Sequence, residues 1–206
     1  MTKVYPGLAH LNGNLLAAVD FETTGRRPGH HEIVQIAVVP LDSDIRPTKD
    51  IRPFYTIIRP KYPERIEKDA FRINGIDVGQ LLLYAPESER VADLLVEWFD
   101  RLELPQNKVL VPLVQNWAFE SSFMKAWLGV DLVDRMFHSH ARDPMLLAVM
   151  MNDIAAFRGE DLPFNKVGLG SLCNRLKVVN QNAHNALADC YATAEVYRAM
   201  LTLNLV

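Results

Sequence analysis

Leu15-Leu16-Ala17-Ala18-Val19-Asp20-Phe21-Glu22-Thr23-Thr24-Gly25 is an apolar run that ends in two carboxylates set two residues apart. On a β-strand, residues i and i+2 point to the same face. Asp20 and Glu22 are therefore predicted to project side by side, while Phe21 turns the other way into the packing. Adjacent carboxylates repel and cost stability unless positive charge sits between them. For clustered hard oxygen ligands that charge is commonly a divalent cation such as Mg²⁺. Thr23-Thr24-Gly25 then ends the strand, and its glycine permits a tight turn whose amides can approach a ligand. A strand end followed by a polar turn with ordinary exposed acids explains the stretch equally well, so the decision rests on the remainder of the chain.

Working outward, 206 residues are expected to form a single domain with its core over about 14–203, on a prior of roughly 100–200 residues per domain. An apolar content of 49% and a charged content of 23% fit a globular protein. The net charge of -3 excludes a strongly basic, non-specific nucleic-acid coat. It leaves room for an enzyme that meets phosphates through bound metal or a local patch. Cys173 and Cys190 form no CxxC pair and read as reduced core residues. No targeting segment is evident, and the longest apolar run, 145–151, is too short to span a bilayer. The expectation is a soluble, cytoplasmic protein without a membrane partner.

Residues 1–13 read as a loose lead-in. Strands are predicted over 15–21, 32–41, 51–58 and 109–114, with a short fifth strand at 136–142. Helices are predicted over 64–71, 88–102, 144–157, 169–176 and about 185–203, with another following Asn116. In the clearest of them Val91, Leu94, Leu95, Trp98, Phe99 and Leu102 repeat at helical spacing behind Ser88 as N-cap. Asn116 is a candidate cap for a helix whose core stripe is Phe119, Phe123 and Trp127. Asp143-Pro144 starts the next helix, and the apolar character of 144–157 implies burial all round. Three meandering strands followed by alternating helix and strand point to an α/β sheet covered by helices.

Glu120 falls in the first turn of the helix after strand four, His184 in the loop before the last helix, and Asp189 within that helix. Taken singly, Glu120 is accounted for by the helix dipole, His184 as a loop or capping residue, and Asp143 as an N-cap. His184 and Asp189, five apart, do not share a helix face. They meet only if the histidine reaches in from the loop.

Taken together, these stretches resemble a known family. Asp20-Phe21-Glu22-Thr23-Thr24-Gly25 resembles the first motif of the DnaQ-like, or DEDDh, 3′→5′ exonucleases. Asn116-Trp117-Ala118-Phe119-Glu120 resembles the second, usually Asn-x-x-Phe-Asp, and His184-Asn185-Ala186-Leu187-Ala188-Asp189 the third. Weaker likenesses lie at 32–37, 73–76 and Asp143, and the match runs in order over about 14–203. The resemblance implies a ribonuclease H-like fold, with a five-stranded mixed sheet flanked by helices and the acids converging at one end. It implies release of mononucleotides from free 3′ ends of single-stranded DNA or RNA, with DNA slightly favoured. It also implies two divalent cations, Mg²⁺ or Mn²⁺, about 3.5–4 Å apart.

By the same resemblance Asp20, Glu22, Glu120 and Asp189 are the metal ligands, and His184 is the general base. Thr23, Thr24 and Gly25 seat the terminal nucleotide, with Asn116 and Trp117 as further substrate contacts. Trp117 has two readings, as a platform for a terminal base or as a ring packed on a neighbouring loop. Glu120 departs from the family's usual aspartate by one methylene. It leaves an active enzyme with a shifted metal site, a weakened relative that binds nucleic acid or protein, and an RNA-trimming enzyme all in play. No polymerase domain is evident, so proofreading would require a separate polymerase partner.

Overall fold

A computed structural model describes residues 7–203, so the first six residues of the expected lead-in lie outside the described residues. Its sheet is built from β1 (Leu15–Thr23), β2 (Ile33–Pro40), β3 (Phe54–Ile57) and β4 (Leu110–Leu113) in the order β3-β2-β1-β4. β1 runs antiparallel to β2 and parallel to β4, which makes the sheet mixed as expected. The helices are α1 (Lys68–Asn74), α2 (Val78–Tyr84), α3 (Ser88–Asp100), α4 (Trp117–Leu128), α5 (Val130–Met136), α6 (Pro144–Arg158), α7 (Leu169–Leu176) and α8 (Ala186–Leu201). Sequence reading missed α2 and α5. The first was legible in its cap, because the Asp77 carboxylate accepts from the Gln80 N–H.

β1 is central and covered on both faces, and the period of two along it decides which residues meet which helices. Ala17, Val19 and Phe21 enter one core with Val91, Leu95, Trp98 and Phe99 of α3 and Phe123 and Met124 of α4. Leu16 and Ala18 enter a second core with Ala37 and with Ala186, Cys190, Ala194 and Tyr197 of α8. Small residues on both sides of that second interface bring the α8 axis close to the sheet. Asp20 and Glu22 continue this second face, so the residues that lower α8 onto the sheet also set its acidic end against β1.

The sheet has four strands, not five. α5 runs through Met136, and the segment beyond it pairs with β4 only at two isolated bridges, Phe137 with Leu110 and Arg142 with Leu113. Between them the His138 ring accepts from the His140 N–H, a local turn that competes with strand pairing. A second correction concerns α6. Ala148 and Met151 are buried against α7 and α8 and Ala155 is buried too, but Leu146, Val149, Met150 and Phe157 face outward, so the helix is buried on one side only.

Asp143 joins α4 to α6. It is buried, and it accepts from the Met145 and Leu146 N–H groups at the start of α6. It also accepts from the Asn116 N–H at 3.2 Å and the Trp117 N–H at 2.9 Å. Asn116 itself has φ 71 and contributes no side-chain cap, so the cap of α4 comes from another element. Replacing Asp143 with alanine strands these donors and is expected to lower stability by roughly 1–3 kcal/mol. A urea melt checks this, and an unchanged midpoint would contradict the shared-cap reading.

Candidate active site

At the end of β1 a bulge between Glu22 and Thr23 shifts the register with β2 before the last pair, Thr23 with Ile33. Asp20 and Glu22 lie on the face turned toward α8, as the strand period predicts. Glu120, in the first turn of α4, is buried and aimed inward. Asp189, in the first turn of α8, is buried as well. β1, α4 and α8 thus each deliver a carboxylate to one end of the sheet. Among the described residues, none of these carboxylates forms an ion pair with lysine or arginine.

The electrostatic consequence is visible in every member. Burial pushes the Glu22 carboxyl up to about 7, with the Asp189 charge adding to the rise. Asp20 is raised well above the usual carboxylate range by burial and then by Glu120, Asp189 and Glu22. Glu120 is raised by burial and by Glu22. Asp189 is raised by burial, opposed by a hydrogen bond from the Asn180 amide and another from the His184 N–H at 2.9 Å. Loss of solvent and like charge both favour the neutral acids, and only added positive charge reverses them.

His184 enters from the loop before α8, as the spacing to Asp189 requires. Its backbone is left-handed with φ 67, and its exposed side chain sits at the rim of the cluster. Ligand atoms of Glu22, His184 and Asp189 all lie within 4.8 Å of one another. The loop is pinned to the sheet by two bonds. The Ala186 N–H donates to Gln35 Oε1 at 2.7 Å, and the Asn185 amide donates to the Tyr55 hydroxyl at 2.8 Å. Gln35, Tyr55 and Asn180 were missed in the sequence, since no local pattern links strand residues to a loop so far along the chain.

The remaining expected contacts divide. Thr23 and Gly25 line a cleft of about 440 Å³ beside Glu22, together with Arg26, Ile73 and Phe119. Thr24 does not reach this cleft: its hydroxyl accepts from the Glu32 N–H, its own N–H donates to the Glu32 carbonyl, and its carbonyl accepts from the Glu67 N–H. Asn116 is committed through its N–H to Asp143. The Trp117 indole N–H donates to the Ser139 carbonyl at 3.1 Å, and its ring packs on the first core. Of the two readings of Trp117, the packed one describes its position. Phe119 packs on the first core beside Phe123, as its stripe predicts, and with Phe21 it also lines the cleft.

Residues 17–197 match the Exonuclease family model, RNase_T. The chain belongs to the exonuclease family. The match spans β1 through most of α8 and contains Asp20, Glu22, Glu120, His184 and Asp189. In solved structures, the fold of this chain is similar to that of Escherichia coli Exonuclease I in a zinc-bound complex with single-stranded DNA. The TM-score is 0.69 and the identity 20%, covering 93% of this chain and 41% of that one. It is also similar to a 3′-exonuclease described in 3′-end recognition of a histone mRNA stem-loop, with TM-score 0.67 and 16% identity over 97% of this chain and 66% of that one. A third similar structure is cell-death related nuclease 4, with TM-score 0.65 and 18% identity over 93% and 64% of the two chains. A search of curated protein sequences gives no match. The chain thus spans 41% of the Exonuclease I chain, and at these identities the likeness is one of fold. Among the described residues, no helix is long and apolar enough to cross a membrane.

The acid cluster sets a pH dependence of stability whose sign follows from Glu22. Its folded value of about 7 lies above the ordinary 4.5, so between these the folded chain holds a proton that the unfolded chain has released. That contribution is fully present below pH 4.5 and is lost as pH rises through 7. Asp20, Glu120 and Asp189 shift in the same direction. In EDTA, Glu22→Gln is expected to melt higher than wild type at pH 8 and to show a shallower fall in Tm from pH 5 to 8. Identical slopes would contradict the assignment.

Proposed function

We propose that this exonuclease hydrolyses phosphodiester bonds at the 3′ ends of single-stranded nucleic acid, with divalent cations held by Asp20, Glu22, Glu120 and Asp189. The observation that carries this reading is the gathering of these carboxylates without a protein cation. Glu120 Oε2 supports it, being buried without a hydrogen-bond partner. Hard oxygen ligands in this number suit Mg²⁺ or Mn²⁺, and the extra methylene of Glu120 is accommodated by seating its carboxylate within the cluster. When bound, such ions supply positive charge opposite the scissile phosphate and polarise the attacking water.

The chain's own residues do the rest. His184, at the rim and within reach of Glu22 and Asp189, takes the proton of the attacking water. Oxygen from that water joins phosphorus, the bond from phosphorus to the 3′ oxygen of the preceding nucleotide breaks, and that oxygen leaves as a hydroxyl after protonation. The products are a nucleoside 5′-monophosphate and a strand one nucleotide shorter. Phe119 and Ile73 give the cleft apolar surface for the terminal nucleotide, and Thr23 and Gly25 line it as well. A cleft of about 440 Å³ beside Glu22 has room for a terminal nucleotide. The Exonuclease I structures bound to oligonucleotides favour DNA over RNA as the first substrate to try.

Release of nucleotides from 5′-labelled single-stranded DNA and RNA of matched sequence tests the proposal, with Mg²⁺, Mn²⁺ or EDTA. The expected result is a ladder shortening from the 3′ end, absent in EDTA and in Asp20→Ala. His184→Ala should lower kcat by roughly 10²–10⁴-fold. No cleavage with either metal and retained strand binding would contradict the catalytic reading and favour a binding protein.

A further inference from the structure

Gly25 is a glycine because of what lies beneath it. Its φ is outside the left-handed region, so its backbone tolerates an L-residue. A Cβ built there would lie 2.6 Å from Cε1 of His31 and 2.7 Å from both ring nitrogens, distances that no real Cβ keeps. The His31 ring thus sits directly under the Thr23–Gly25 loop.

That ring is fixed on its other sides. Its side chain is 1% exposed. Nδ1 accepts from the Arg27 N–H at 2.9 Å, which leaves the proton of the neutral ring on Nε2, 3.3 Å from Glu67 Oε1. Glu67 in turn donates its N–H to the Thr24 carbonyl at 2.8 Å, closing a circuit of loop, ring and carboxylate. Beyond His31 lies a second cavity of about 270 Å³, walled by Arg59, Lys61, Tyr62, Arg65 and Trp127. The ring is therefore a partition between two spaces, and without it the loop has room to sink.

We propose that His31 is a positioning residue for the 3′-terminal nucleotide: its ring, pressed against Gly25, sets the height of the Thr23–Gly25 edge of the cleft. This rests on the reading of that cleft as the nucleotide seat. Neither the paired acids nor the histidine of the third motif touches this contact. It acts on how the strand is held, not on the proton transfer.

The spacing makes a compensation test possible. Gly25→Ala, His31→Ala, the double variant and His31→Asn are compared with wild type for KM and kcat on a single-stranded oligonucleotide, with Tm recorded for each. Asparagine keeps an acceptor for the Arg27 N–H but removes the ring, so it tests the spacer even where alanine fails to fold. Gly25→Ala, His31→Ala and His31→Asn are expected to raise KM about tenfold with kcat within about twofold. The double variant should return KM to within about threefold of wild type, because the new methyl group occupies space that the ring vacates. A Gly25→Ala enzyme with wild-type KM, or a double variant no better than its worse parent, would overturn the role of His31 alone. So would losses that fall on kcat. A wild-type protein that neither binds nor cleaves the oligonucleotide would overturn the nucleotide seat itself, and this inference with it.

Discussion

Repulsion among the carboxylates of Asp20, Glu22, Glu120 and Asp189 is the constraint on which the arrangement of this chain turns. Three elements, β1, α4 and α8, bring them to the same end of the sheet, where solvent screens them poorly. Burial, joined by mutual repulsion at Asp20, Glu22 and Glu120, pushes all four carboxyls upward, which favours proton uptake by the bare cluster. Such a site destabilises the fold that carries it at neutral pH, and the surrounding structure must hold it in place.

The scaffold meets that demand with apolar contact on both faces of β1. Helices α3 and α4 cover one face with large side chains, and α8 covers the other with alanines and Cys190. Large residues fix α4 by packing, while small ones bring α8 close enough for Asp189 to join β1. The polar clamps work on a finer scale. Asp143 seats the α4 start, Gln35 seats the α8 start, and Tyr55 steadies the loop that carries His184. Asn180 and the His184 amide hold both oxygens of Asp189.

What was legible in the sequence had local periodicity or a local cap. The strand alternation of β1, the helical repeat of α3 and the Asp143-Pro144 start of α6 were readable for that reason. The convergence of Asp20, Glu22, Glu120 and Asp189 was readable through motif order. Features set by tertiary contact were not. The fifth strand failed because the His138 to His140 turn outcompetes pairing with β4. The apolar outer face of α6 cannot be told from a buried one by composition. The packed position of Trp117 was not decidable, because the Ser139 carbonyl that captures the indole lies 22 residues away. Gly25 looked like a turn glycine, and only the neighbouring ring explains it.

The central claim is that the gathered acids form a binding site for divalent cations. A calorimetric titration of wild type and Glu120→Gln with Mn²⁺ at pH 7.5 addresses it without requiring any substrate. Saturable binding with proton release is predicted, because an ion favours the charged carboxylates and displaces the protons that burial and like charge favour. Glu120→Gln should bind more weakly and release fewer protons. No saturable binding by the wild-type protein, or binding indifferent to Glu120, would contradict the account.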